Sequence, residues 1–146
     1  MTSDLTARLS AAREADDVSA FLACIPYAGF LGLTAELMEG RLTVTLPFTP
    51  SLVGNTYIPA LHGGALAGLM EVTAAIELLW QHQSIGIPKV ITNTVDYRRP
   101  ARERDSFAQA TVTRLGRQLA TVTVKAWQDY SDRPVANAQA HFKLGR

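Results

Sequence analysis

The chain has 146 residues, 47% of them hydrophobic and 18% charged, with a formal net charge of +1. That length fits one domain, and that apolar content supports a packed core and excludes general disorder. The near-neutral charge argues against a general nucleic-acid binder, and the single cysteine, Cys24, excludes a disulfide within the chain.

Residues 4 to 24 read as helical, in two pieces. Leu5, Leu9, Val18, Phe21 and Leu22 form a broken apolar stripe, and Asp16 or Asp17 stands where a second helix would take its N-cap. Pro26 is expected to close this N-terminal helical extension, residues 1–25, because the residue before a proline is pushed away from helical geometry. The opening residues Met1-Thr2-Ser3-Asp4-Leu5 lack the basic start and apolar run of a signal peptide. With a lone cysteine, the expected location is cytoplasmic.

A strand pattern follows. Leu42, Val44 and Leu46 alternate with Arg41, Thr43 and Thr45, and Glu39-Gly40 divides this strand from the preceding one as a hairpin turn. Pro47, Pro50, Gly54, Asn55 and Pro59 make residues 47 to 60 an irregular loop. Residues 63 to 82 form one long helix, apolar around most of its circumference, which predicts burial. A membrane span is disfavoured there, because Glu71 and Glu77 would be expensive in lipid; Glu77 is expected at a solvated rim.

Strand signals fill the remainder: Val90 to Tyr97, Phe107 to Arg114, Gln118 to Gln128 and Val135 to Leu144, with Leu115-Gly116-Arg117 as a hairpin turn. Strands grouped after one helix predict an α+β domain spanning residues 1–146, in which a mostly antiparallel sheet wraps around the central helix.

The segment Leu61-His62-Gly63-Gly64 opens the long helix, and Glu71 follows about two turns in. Glycines at a helix start leave backbone N–H groups facing an anion or a polarised carbonyl. A carboxylate in apolar surroundings needs a partner or a task. Gly64 and Glu71 share a helix face but lie roughly 10 Å apart along the axis, too far to serve one carbonyl within a single chain. A two-fold dimer with antiparallel central helices would bring Glu71 of one chain near Gly63 of the other.

Gly54-Asn55, Leu61-His62-Gly63-Gly64, Glu71, Val95-Asp96-Tyr97-Arg98-Arg99-Pro100-Ala101 and Arg114-Leu115-Gly116-Arg117 occur in an order and spacing that resembles the hotdog-fold thioesterases of the phenylacetate-pathway type. The resemblance spans residues 26 to 144. It implies a curved antiparallel sheet around a central helix, hydrolysis of an acyl-CoA thioester, and a dimer or tetramer with active sites shared across the dimer interface. It also implies that the Gly63 N–H polarises the thioester carbonyl and that Glu71 is general base or nucleophile. His62 would either orient this region or fix the turn by hydrogen bonding. Asn55 is a candidate for the site, although relatives place such an amide about six residues before the histidine, where this chain has Thr56. Relatives with a glutamate often carry a threonine one turn later; here that position is Ala75, and Thr73 or Thr92 are the available substitutes.

Six arginines lie between Asp96 and Arg117 against three acids, leaving a local +3 in a chain that is +1 overall. Arginine forks suit the phosphates of CoA, and the resemblance points to Arg99 and Arg117 for these contacts. Gly64 and Tyr57 are further substrate-binding candidates. Leu52, Val53, Ile58, Met70 and Ala74 could line an acyl pocket, with Trp80 and Phe30 as possible additions, which suits a medium-sized aromatic or aliphatic group.

No Gly-x-Ser-x-Gly elbow, phosphate-cradling loop or dinucleotide fingerprint is present, and His62, His82 and His141 have no metal-ligand spacing. No cofactor or metal is expected, and nucleic acid is not an expected partner. The competing readings are a non-catalytic acyl-CoA binding or sensing module and a hotdog hydroxyacyl dehydratase.

Overall fold

Three short helices lead the chain: α1 (Thr2–Glu14), α2 (Val18–Leu22) and α3 (Pro26–Leu31). The computed structural model describes residues 2–82 and 86–145. Asp17 caps α2, its carboxylate accepting the Ala20 N–H at 2.9 Å. Pro26 does not close the helical region as expected but starts α3, because a proline in the first helical turn gives up only an N–H that has no helical partner. The helix ends at Gly32, whose φ of 71° is open to glycine at no steric cost.

The leading helices are built into the core. Val18, Phe21 and Leu22 are buried with the sheet residues, and Ser19 Oγ donates to Ala35 O at 3.2 Å. Phe21 meets Trp80 edge to face, with ring centroids 5.2 Å apart. The Arg13 guanidinium donates to the carbonyls of Leu79 and Trp80 and so caps the end of the long helix.

Strands β1 (Thr34–Met38) and β2 (Arg41–Leu46) form the expected hairpin. Glu39 and Gly40 both have positive φ, 52° and 77°, as a tight primed turn requires. The loop beyond contains a short antiparallel pair, β3 (Val53–Asn55) and β4 (Ala60–Leu61). Helix α4 (Gly63–Gln81) follows, then β5 (Lys89–Tyr97), β6 (Ser106–Leu115), β7 (Leu119–Trp127) and β8 (Ala136–Lys143).

The six long strands pair in the order β1-β2-β6-β7-β8-β5, every pair antiparallel. Helix α4 packs against β2, β5, β6, β7 and β8, which is the hotdog arrangement of a sheet wrapped around one helix. Leu66, Leu69, Met70, Ile76 and Leu78 are at most 2% exposed and form its contact with Val44, Ala108, Val122 and Phe142. The helix is long and apolar enough to cross a membrane by composition, but most of it is core.

Its covering is incomplete. Gly64 is exposed, and Ala67, Glu71 and Ala75 are only half-buried. Spacings of three and four residues place all four on one helix face. That open row carries the carboxylate of interest.

Glu77 departs from the expected solvated rim: it is 7% exposed, its side chain held by Gln81 Nε2. Burial raises its pKa above the usual carboxylate range, against the lowering effects of the Gln81 hydrogen bond and the Arg41 charge. A raised folded-state pKa means that the stability Glu77 contributes is complete at low pH and is lost as pH rises through that value. Glu77→Gln keeps the acceptor and removes the charge. Its thermal midpoint is expected to exceed that of the parent by roughly 3 °C at pH 8, with the gap closing toward pH 4. A gap that does not change with pH in paired melts would refute this account.

Candidate active site

The start of α4 is locked from several sides. His62 is the N-cap, and its imidazole Nδ1 accepts the Gly64 N–H at 2.9 Å. Nδ1 is therefore the acceptor nitrogen and Nε2 carries the proton. His62 N–H donates to Leu52 O at 2.7 Å, and Leu61 N–H donates to Ala101 O at 2.9 Å. Of the two expected roles for His62, the turn-fixing hydrogen bond is the one formed within the chain.

Close packing explains the glycines. A Cβ on Gly54 would lie 2.8 Å from the His62 Cα, and one on Gly64 would lie 2.9 Å from the His62 Nδ1. A Cβ on Gly63 would lie 3.0 Å from the Tyr97 ring, and the Tyr97 hydroxyl donates to Gly63 O at 2.7 Å. The Gly64 N–H is spent on the histidine cap. Among the described residues no acceptor takes the Gly63 N–H, which lies in the positive first turn of a 19-residue helix.

Glu71 sits on the open row of α4, half-buried, eight residues from Gly63, or about 12 Å along the axis. The separation expected from sequence thus holds in the folded chain. Thr73 does not replace the threonine absent at position 75, because its hydroxyl is buried and donates to Leu69 O at 2.7 Å. Thr92 is exposed on β5.

The other candidates separate. Asn55 Oδ1 accepts the N–H groups of Tyr57 at 3.0 Å and Ile58 at 3.3 Å, so within the chain this oxygen closes its own loop. Tyr57 is 97% exposed and touches no core. Arg99 lines a groove of about 450 Å³ together with Leu61, Gly63, Leu66, Tyr97 and Arg98. Arg117 borders a different cavity of about 720 Å³ with Arg114, Leu119, Thr121 and His141. One chain therefore brings Arg99, but not Arg117, beside Gly63. Arg104 is engaged with Asp129 at 2.9 Å in an exposed ion pair.

Two residues at the site had no role assigned from sequence: Asn93, which lies in no motif, and Tyr97, which the sequence offers only as part of the Val95–Ala101 motif. Asn93, Val95 and Tyr97 alternate along β5 and face the helix: Asn93 Nδ2 donates to Ala67 O at 3.4 Å, as Tyr97 does to Gly63 O. A polar residue in phase with inward positions of a strand was the available signal.

The described residues form a hotdog fold, a sheet wrapped around a buried helix, with a glycine N–H that takes no acceptor among them at the helix start and a carboxylate on the helix's open face. The model of the thioesterase superfamily matches residues 59–134, and the chain belongs to that superfamily. It is 28% identical over 140 residues to a Salmonella typhimurium protein named medium/long-chain acyl-CoA thioesterase YigI, covering 86% of this chain and 89% of the relative. A crystal structure of a Chromobacterium violaceum protein matches with a TM-score of 0.76 at 36% identity, over 95% of this chain and 97% of that one. A Bacillus halodurans protein solved with CoA shares the fold at a TM-score of 0.73 and 23% identity, over 99% of this chain and 90% of that one.

Proposed function

We propose that this protein hydrolyses acyl-CoA thioesters to the free acid and CoA, acting in the cytoplasm as a homodimer or dimer of dimers without a cofactor. The observation that carries the reading is the His62-capped start of α4, where the Gly63 N–H has no acceptor among the described residues and lies beside a groove that Arg99 borders. The acyl-CoA thioesterase relatives at 26–28% identity support the substrate class.

The thioester carbonyl oxygen takes the Gly63 N–H, where the helix dipole stabilises the charge that develops on attack. Glu71 of the partner subunit removes a proton from water as the water oxygen bonds to the thioester carbon. The tetrahedral oxyanion then collapses, the C–S bond breaks, and the proton held by Glu71 passes to the leaving sulfur. The alternative route has the carboxylate attack the carbon directly and expel the CoA thiolate as the C–S bond breaks, forming an anhydride; water then opens the anhydride, freeing the acid and the carboxylate, and the water's proton goes to the thiolate. Arg99 and Arg117 hold phosphates of CoA, and Tyr57, Gly64 and Asn55 border the bound acyl-pantetheine end. The separation of about 12 Å along the helix axis between Gly63 and Glu71 in one chain supports a site built from two chains.

The test is thiol release from a panel running from acetyl-CoA to palmitoyl-CoA with benzoyl-CoA and phenylacetyl-CoA added. Saturable turnover of a medium-sized acyl-CoA is the expected result. Tight binding by calorimetry with no turnover of any member would overturn hydrolysis and favour a binding module.

A further inference from the structure

The second half of α4 carries a carboxylate that the proposed hydrolysis does not use. Glu77 follows Glu71 by six residues, which turns it about 240° around the axis, away from the open row. It borders a cavity of about 330 Å³ between the β1–β2 hairpin, β6 and the last turns of the helix. Gly63 is roughly 21 Å away along the axis.

Glu77 and Arg41 are the two ionisable residues of the cavity lining, and no ion pair joins them. The Arg41 guanidinium is fixed through Nη2, which donates to Ala110 O at 3.0 Å and Thr111 Oγ1 at 3.4 Å. Its Nε and Nη1 have no acceptor among the described residues. At Glu77, the Gln81 amide takes Oε1, and Oε2 has no partner among the described residues. Burial favours the protonated form of this carboxyl, so Oε2 offers an O–H.

Both ionisable walls of the cavity therefore present donors with nothing to receive them. The matching ligand has two acceptor oxygens on one compact head, and a negative charge to suit the guanidinium. A carboxylate has both. An ammonium head is repelled by Arg41. The cavity lies at the low end of small-molecule pocket sizes, which leaves no room for a nucleotide-bearing thioester.

We propose that this cavity binds a short-chain monocarboxylate, its oxygens bridging the Arg41 guanidinium and the Glu77 carboxyl and its hydrocarbon body packing on Leu37, Leu42, Trp80 and Val112. Acids of this class are also what the proposed hydrolysis releases, but the inference stands on the cavity and its unpaired groups and not on that reaction. Ionised Glu77 repels a carboxylate. Affinity is thus highest where Glu77 is protonated and falls as pH rises through its raised value.

Calorimetric titration of the full chain with sodium hexanoate at pH 6 and pH 8 tests this. One site per chain is expected, with a Kd of about 1 mM at pH 6 and binding at least about five-fold weaker at pH 8. Glu77→Gln keeps a donor on that wall without the charge. At pH 8 it is expected to bind about five-fold more tightly than the parent, with the pH dependence gone. Arg41→Met keeps the apolar stem and removes the fork, and is expected to weaken binding at least about ten-fold at both pH values. Hexylamine, the same body with a cationic head, does not bind. Absence of hexanoate binding up to about 20 mM at pH 6, or equal binding of hexylamine, overturns the inference. So does parental affinity in Arg41→Met. If binding survives in Arg41→Met but is lost in Gly63→Val, hexanoate sits at the start of α4 as a reaction product; the cavity site is then wrong and the hydrolysis reading stands. The expected pattern in a protein that turns over no acyl-CoA has the opposite meaning. Should Arg41→Met not fold, Leu37→Trp fills the cavity from a half-exposed position, and parental affinity there overturns the inference.

Discussion

Glu71→Gln is expected to lower kcat by about 10³-fold, with little change in KM and none in thermal midpoint. Glutamine keeps the size and the hydrogen-bonding reach of the side chain, and the residue is half-buried on the open row of α4, so no core packing is lost. What disappears is the group that takes the proton from water or attacks the carbon. Steady-state kinetics on purified variant, with melting curves as the folding control, decide the matter. A kcat within ten-fold of the parent would mean that another residue carries the base role.

The second large effect concerns Gly63. In Gly63→Val, the new Cβ would meet the Tyr97 ring at 3.0 Å, so the ring must move and its 2.7 Å bond to the Gly63 carbonyl is lost. The branched side chain also occupies the space through which a thioester carbonyl reaches the N–H. A loss of about 10²-fold in kcat/KM is expected. Mixing this variant with Glu71→Gln then distinguishes shared from separate sites. Random dimers are half heterodimers, and each heterodimer has one site with both groups intact if Gly63 and Glu71 come from different chains. Activity of about a quarter of the parent is expected from two nearly inactive proteins. No recovery after subunit exchange would place both groups in one chain.

Much of the frame was legible because burial and backbone geometry leave periodic marks. The Glu39-Gly40 turn and the apolar length of α4 each reflect a single local rule, and each was observed. Leu42, Val44 and Leu46 are buried as their spacing predicts, but Thr43 between them is buried too, so β2 is covered on both faces there rather than half-buried. Pro26 was misjudged because a proline both forbids the helix before it and favours one after it; which effect governs depends on whether the following residues can pack. Glu77 was misjudged because a glutamate near a helix end reads as solvated, whereas β2, which carries Arg41, folds over this end of the helix and buries it beside Gln81 of its own helix.

At the site, the His62-Gly63-Gly64 turn was readable from spacing alone, since a histidine N-cap and crowded glycines are local features. The separation of Arg99 from Arg117 was not, because it depends on where the β6–β7 hairpin turn falls relative to the start of α4. Asn93, and the contact made by Tyr97, were hidden for a related reason. Their partners are carbonyls 26 and 34 residues away, and no motif marks a backbone acceptor.

The place of β5 at the sheet edge also fixes the order in which the molecule can be completed. Its one neighbour in the sheet is β8, the last strand of the series. During synthesis Asn93 and Tyr97 emerge roughly forty residues before the strand that seats them. The hairpins β1–β2 and β6–β7 pair strands adjacent in the chain, whereas β5 has to wait for β8. A chain that stops before β8 therefore leaves β5, and Tyr97 with it, without its neighbour in the sheet.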